Sequence, residues 1–91
     1  MIKVIFFTTL RIYLGIKELK CNGVYTISEL LKRCEQLSPK PFLFKLIDKE
    51  SQLNTGVIIL VNGQNIHHLK GLETEVFEGD EVALFPPGGG G

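Results

Sequence analysis

The residues best suited to chemistry stand at the end of the chain, where Pro86-Pro87 precede Gly88, Gly89, Gly90 and Gly91. Glycine brings no side chain, so the reactive group such a segment offers is a main-chain carboxylate. An α-carboxylate is ionised at neutral pH, with a pKa of about 3.5, and is a poor acyl donor until it is activated. From Phe85 the six following residues reach roughly 20 Å when extended, thin enough to enter a narrow groove in another protein. On composition alone, a linker remnant or inert disorder fits the same glycines. Other reactive types are sparse. Cys21 and Cys34 are too few for a disulfide scaffold or a plant-type [2Fe-2S] centre, and are read as buried thiols. His67-His68 lacks a third ligand at a recognisable spacing, so no metal site is assigned. The glycine run has neither the Lys-Ser/Thr pair nor the following helix of a phosphate-binding loop. No Ser, His and Asp arrangement stands out, and the chain is not expected to be an enzyme on its own.

Elements must hold that terminus out. The 91 residues suit one domain, and 44% hydrophobic with 22% charged residues suits a folded chain. Ten basic residues balance ten acidic ones, so the surplus positive charge of an autonomous nucleic-acid binder is missing. No apolar run reaches membrane-span length, and the first residues do not read as a signal peptide, which makes the cytoplasm the expected location.

Residues 2–7 alternate as a strand, and a second β-rich stretch through Ile12, Leu14, Ile16 and Leu19 to Cys21, bent at Gly15, is expected to pair with it. Thr26-Ile27-Ser28-Glu29 is a capping box. The helix it starts carries Ile27, Leu30, Leu31, Cys34 and Leu37 on one stripe, with Glu29, Lys32, Arg33 and Glu35 facing water. Ser38-Pro39 ends it, and Pro41 opens a short second helix. Residues 48–55 form a polar loop before an inner strand over residues 57–61. Asn62-Gly63 predicts a type I′ turn into a short edge strand. Residues 67–80 are read as loop, with at most one helical turn, and residues 81–85 as the last strand. One helix stripe needs one sheet to cover it. Placing the last strand beside the first gives an α+β, β-grasp (ubiquitin-like) mixed sheet on one main helix: a domain over residues 1–87 and a flexible Gly-rich tail over residues 88–91.

The segments Phe6-Phe7-Thr8-Thr9-Leu10-Arg11, Val61-Asn62-Gly63, Gly79-Asp80-Glu81-Val82 and Phe85-Pro86-Pro87, ahead of Gly90-Gly91, span nearly the whole chain. In that order they resemble the sulfur-carrier small subunit of molybdopterin synthase. The thiamin-pathway sulfur carrier shares fold and ending but is typically shorter. The resemblance implies that an ATP-dependent, ubiquitin-activating-like adenylyltransferase adenylates Gly91, and that a sulfur-donating protein supplies the sulfur that replaces AMP as a thiocarboxylate. It further implies a molybdopterin synthase large subunit that receives the tail and passes the sulfur to a pterin precursor. ATP is then used by the activating enzyme, and no cofactor is bound by the chain itself. Gly88 and Gly89 stand where relatives commonly place Ala, Val or Ser. Ubiquitin-like modifiers joined to lysines share the Gly-Gly ending.

Phe7 and Phe85, with Pro86, Pro87, Gly88, Gly89 and Gly90, are the expected partner contacts. For Phe7 and Phe85 a place in the core is equally compatible. Acidic residues outnumber basic ones six to one after residue 49, and nine basic face four acidic before it. That asymmetry suits a basic groove on a partner, or a solvated surface alone.

Overall fold

The computed structural model describes residues 1–87, so the tail assigned to residues 88–91 lies outside the described residues. In chain order the elements are β1 (Ile2–Phe6), α1 (Thr8–Leu14), β2 (Glu18–Cys21), β3 (Tyr25–Thr26), α2 (Ile27–Leu37), β4 (Ile58–Val61), β5 (Gln64–Asn65), β6 (Glu75–Val76) and β7 (Glu81–Phe85). Five strands make one sheet in the order β2-β1-β7-β4-β5, and β3 pairs with β6 in a second small one. β1 runs parallel to β7 and antiparallel to β2. The last strand therefore lies beside the first, and the α+β, β-grasp architecture is the one observed.

Alternation sorts the strand residues into two faces. Ile2, Val4, Phe6, Ile59, Val61, Val82 and Leu84 are buried and share one core with Ile27, Leu30, Leu31 and Cys34 of α2. Helix α2 begins as the capping box requires. Thr26 Oγ1 accepts from Glu29 N–H at 3.1 Å, and Glu29 Oε1 accepts from Thr26 N–H at 2.9 Å. Thr26→Ala is expected to remove about 1 kcal/mol of stability, read as a lower urea midpoint at unchanged slope.

Several expectations need correction. Residues 8–14 form a helix, so Ile12 and Leu14 are helical and not part of the second strand, and β2 begins only at Glu18. Gly15 is the left-handed cap of that helix, with φ 73°, and not a strand bulge. Glu35 does not simply face water: its Oε2 accepts from the N–H groups of Phe42 and Leu43, each at 2.8 Å. This fastens α2 to the 3-10 turn at Leu43–Lys45 that stands in for the expected second helix. Leu37, at the end of α2, is exposed. Residues 67–80 hold two 3-10 turns and β6, whose partner β3 is only two residues long.

The Asn62-Gly63 turn has positive φ at both residues, 49° and 85°, as a type I′ turn requires. Asn62 also joins two of the segments on which the sequence resemblance rests. Its side chain donates to Asp80 Oδ1 and accepts from Glu81 N–H, both at 2.9 Å. These residues fix where β7 starts, at the end of that strand away from the tail, so their role is structural.

Near the same end, Glu78 pairs with the Met1 ammonium at 2.7 Å and accepts from Gly23 N–H at 2.7 Å. The ammonium first, then the amide, holds the Glu78 carboxyl below its ordinary range. Folded Glu78 thus releases its proton at lower pH than unfolded Glu78. Its contribution is present above the ordinary carboxylate pKa and is lost as pH falls through the lowered folded value. Glu78→Gln is expected to flatten this part of the acid limb in a plot of thermal midpoint against pH. The effect is small, because both partners are about half exposed.

Candidate functional site

β1 and β7 run side by side and end together, β1 leading through Phe7 into α1 and β7 leading through Phe85 into the tail. Phe7 N–H donates to Leu84 O at 3.1 Å, which extends the pairing by one residue. The rings of Phe7 and Phe85 stack, with centroids 4.3 Å apart and planes 12° from parallel. The two residues named from the sequence are therefore brought together, half-buried, on the face of the sheet opposite the core.

Strand register extends this pair into a patch. Ile5 and Leu60 both lie opposite Ala83, and Ile58 lies opposite Phe85. All are apolar, Ile58 is exposed and the others are half-buried, whereas the alternate residues on the same strands are buried. The chain thus presents an apolar sheet face directly beside the exit of its tail. Sequence reasoning found Phe7 and Phe85 but not Ile5, Ile58, Leu60 and Ala83. The signal was available in the run of residues 57–61, apolar on both faces, once β4 and β7 are known to be neighbours.

Pro86, expected among the partner contacts, is buried within the chain, while Pro87 is exposed. Alternation explains this, since Phe85 points to the open face and the next residue turns inward. Pro86 thus sits covered at the base of the tail. The first residue of α1 is strained. Thr8 takes φ 48°, a left-handed value that β-branched residues rarely adopt. Leu10 and Leu14 of α1 then reach the core.

The remaining reactive side chains lie elsewhere. The sulfurs of Cys21 and Cys34 are 3.8 Å apart and both residues are buried. Burial first, and the neighbouring Cys21 second, push the Cys34 thiol far above its ordinary range, so it stays protonated and unreactive in the folded chain. His67 and His68 sit in the 3-10 turn Ile66–His68, and their ring centroids are 5.5 Å apart. Among the described residues no group of three His, Cys, Asp or Glu side chains could hold a metal ion. No helix there is long and apolar enough to cross a membrane.

A β-grasp sheet whose final strand ends beside an apolar face defines a ubiquitin-like protein. The chain belongs to the ThiS family, a family of ubiquitin-like sulfur carriers, which it matches over residues 4–91. It is 38% identical over 66 residues to a candidate sulfur carrier protein of Archaeoglobus fulgidus, covering 72% of this chain and 74% of that one. It is 30% identical over 88 residues to small archaeal modifier protein 3 of Haloferax volcanii, covering 94% of each. Among solved structures, the BexX/CysO complex of Amycolatopsis orientalis contains a chain that superposes with a TM-score of 0.84 at 27% identity, over the whole of both chains.

Proposed function

We propose that the chain carries sulfur on Gly91 as a thiocarboxylate and gives it up for the dithiolene of molybdopterin, the ligand of molybdenum or tungsten. The observation that carries this reading is the placement of the apolar face of Ile5, Phe7, Ile58, Leu60, Ala83 and Phe85 at the strand end from which the tail departs. A partner that holds this face receives the tail in a defined direction, and the rest of the body performs no reaction.

The chemistry proceeds in two displacements. The Gly91 carboxylate attacks the α-phosphorus of ATP in an activating enzyme, pyrophosphate leaves, and an acyl adenylate forms. Hydrosulfide released by the sulfur donor then adds to that acyl carbon and AMP leaves, giving the thiocarboxylate with no change of oxidation state. Activation is needed because the free carboxylate has no leaving group. Glycine at positions 90 and 91 suits a narrow channel, since a Cβ would hold the backbone away from the catalytic atoms of the partner.

Conjugation to lysines is the second reading, favoured by the similarity to an archaeal modifier protein along almost the full chain. One experiment separates the two. The chain is incubated with its activating enzyme, ATP and a sulfur donor, and intact masses are recorded with and without lysine-bearing acceptor proteins. Replacement of one oxygen by sulfur, followed by transfer of that sulfur to a pterin precursor with the synthase large subunit, is the expected result. A branched Gly-Lys isopeptide without a thiocarboxylate product would instead make the chain a modifier.

A further inference from the structure

The five-stranded sheet has an edge at β2 and an edge at β5, and the two differ. β5 is two residues long, and a very short strand is one of the ways in which an edge is blunted against pairing. β2 is four residues long, runs in unbroken register with β1, and exposes Glu18 and Lys20. The ladder shows which of its main-chain groups are free. Phe6 N–H donates to Lys17 O at 2.8 Å, and the register continues with Val4 opposite Leu19 and Ile2 opposite Cys21. Hydrogen-bonded positions alternate in an antiparallel pair. The N–H and C=O groups of Lys17, Leu19 and Cys21 therefore turn to β1, and those of Glu18 and Lys20 turn outward.

These two outward residues carry opposite charges on the same face, since Glu18 lies opposite Ile5 and Lys20 opposite Lys3. Among the described residues neither is in an ion pair, and Lys20 faces a like charge across the ladder. The edge is thereby complementary to itself. An antiparallel second copy centred on Leu19 sets Glu18 against the partner's Lys20 and Lys20 against the partner's Glu18, and each pair exchanges both of its main-chain hydrogen bonds. Leu19, half-buried at the rim of the core, meets the partner's Leu19 at the closer, non-hydrogen-bonded spacing. Moving the partner two residues either way sets Glu18 against Glu18 or Lys20 against Lys20. A slip of one residue turns the partner's core side to the open face. A single register therefore satisfies main chain and charge together.

We propose that two copies of the chain associate through β2, in antiparallel register about Leu19, as a twofold dimer that continues one sheet into the other. The occupant of the edge is a second copy because its charges are those of this chain, and they match in that register. The twofold axis stands perpendicular to the sheet, so both apolar faces lie on one side and the two β7 strands end at opposite poles. The contact leaves the Phe7-Phe85 stack open and does not depend on the chemistry of Gly91. A ladder over so short a strand makes an interface at the small, transient end of the range, below about 1,200 Å². The dimer therefore forms at high protein concentration.

The test is sedimentation velocity of the full chain at concentrations up to about 1 mM, the range in which a weak association shows. The natural chain should pass from monomer to dimer. Glu18→Lys and Lys20→Glu each set like charges against one another in both pairs, so each variant alone should dimerise about tenfold more weakly. Mixed in equal amounts, the two should form a heterodimer with the natural affinity, and Glu18→Lys/Lys20→Glu in one chain should dimerise as the natural chain does. Circular dichroism should not change, because both side chains are exposed. Amide exchange supplies the main-chain readout. Exchange at Glu18 and Lys20 should slow as concentration rises, whereas Leu19 and Cys21 are protected throughout by β1. A natural chain that stays monomeric over the whole range overturns the β2 dimer. So does a dimer indifferent to both single changes, which would place the contact on another surface such as the apolar sheet face. A mixture of the two single variants that fails to recover the association overturns the register.

Discussion

Deleting Gly91 is expected to abolish ATP-pyrophosphate exchange and thiocarboxylate formation while leaving the thermal midpoint unchanged. The deletion moves the terminal carboxylate back by one residue, about 3.5 Å when extended. A nucleophile displaced that far is out of line with the α-phosphorus, and even a 1 Å misplacement can lower a rate about 100-fold. Stability should not follow, because the glycine has no side chain to bury and leaves the core of the described residues untouched. The measurements are exchange kinetics, intact mass and a thermal scan on the same preparation. Retained exchange, or a collapse of the fold, contradicts the proposed role of the tail.

Phe6→Ala has the largest expected effect on stability. Phe6 is fully buried, is the last residue of β1 and packs edge-on against Phe42. Truncation loses the burial of the ring and opens a cavity, together about 3 to 5 kcal/mol, which is a large share of the 5 to 15 kcal/mol typical of a native domain. A fall in thermal midpoint of about 15 °C or more corresponds to this for a chain of such size. The loss falls at the junction that directs the tail, since the next residue, Phe7, stacks on Phe85. Thiocarboxylate formation near the midpoint should therefore fail in this variant. Ile12→Ala on the exposed side of α1 is the matching control and should stay within about 0.5 kcal/mol. Equal destabilisation of the two variants would contradict the assignment of Phe6 to the core.

Helix α2 was legible because its signals are local. The capping box over residues 26–29 and the apolar stripe act within one element, and both appear as expected except that the stripe's last residue, Leu37, is exposed. Asn62-Gly63 is likewise local, since two adjacent residues able to take positive φ define the turn by themselves. Helix α1 was not legible. It has only seven residues, lacks a side-chain cap and contains Thr8, Thr9, Ile12 and Tyr13, all of which favour strands. What makes it helical is the burial of Leu10 and Leu14 in a core assembled from distant residues, and that burial also sustains the unusual φ of Thr8. β6 was missed for the same reason, because a two-residue strand exists only through its partner.

The β-grasp sheet on one main helix, and a final glycine segment free of side chains, were thus legible in the residues alone, whereas α1, β3 and β6 were not. The legible parts follow from composition, periodicity and local turn chemistry, which neighbouring residues settle among themselves. Packing between distant residues settles which apolar residues form an open face, that Phe7 and Phe85 stack at its edge, and that Pro86 turns inward. Each of these depends on strand register or on contacts between residues far apart in the chain. Along a single strand, alternation says that two faces exist, and only the neighbouring strands and the helix beneath decide which face is covered.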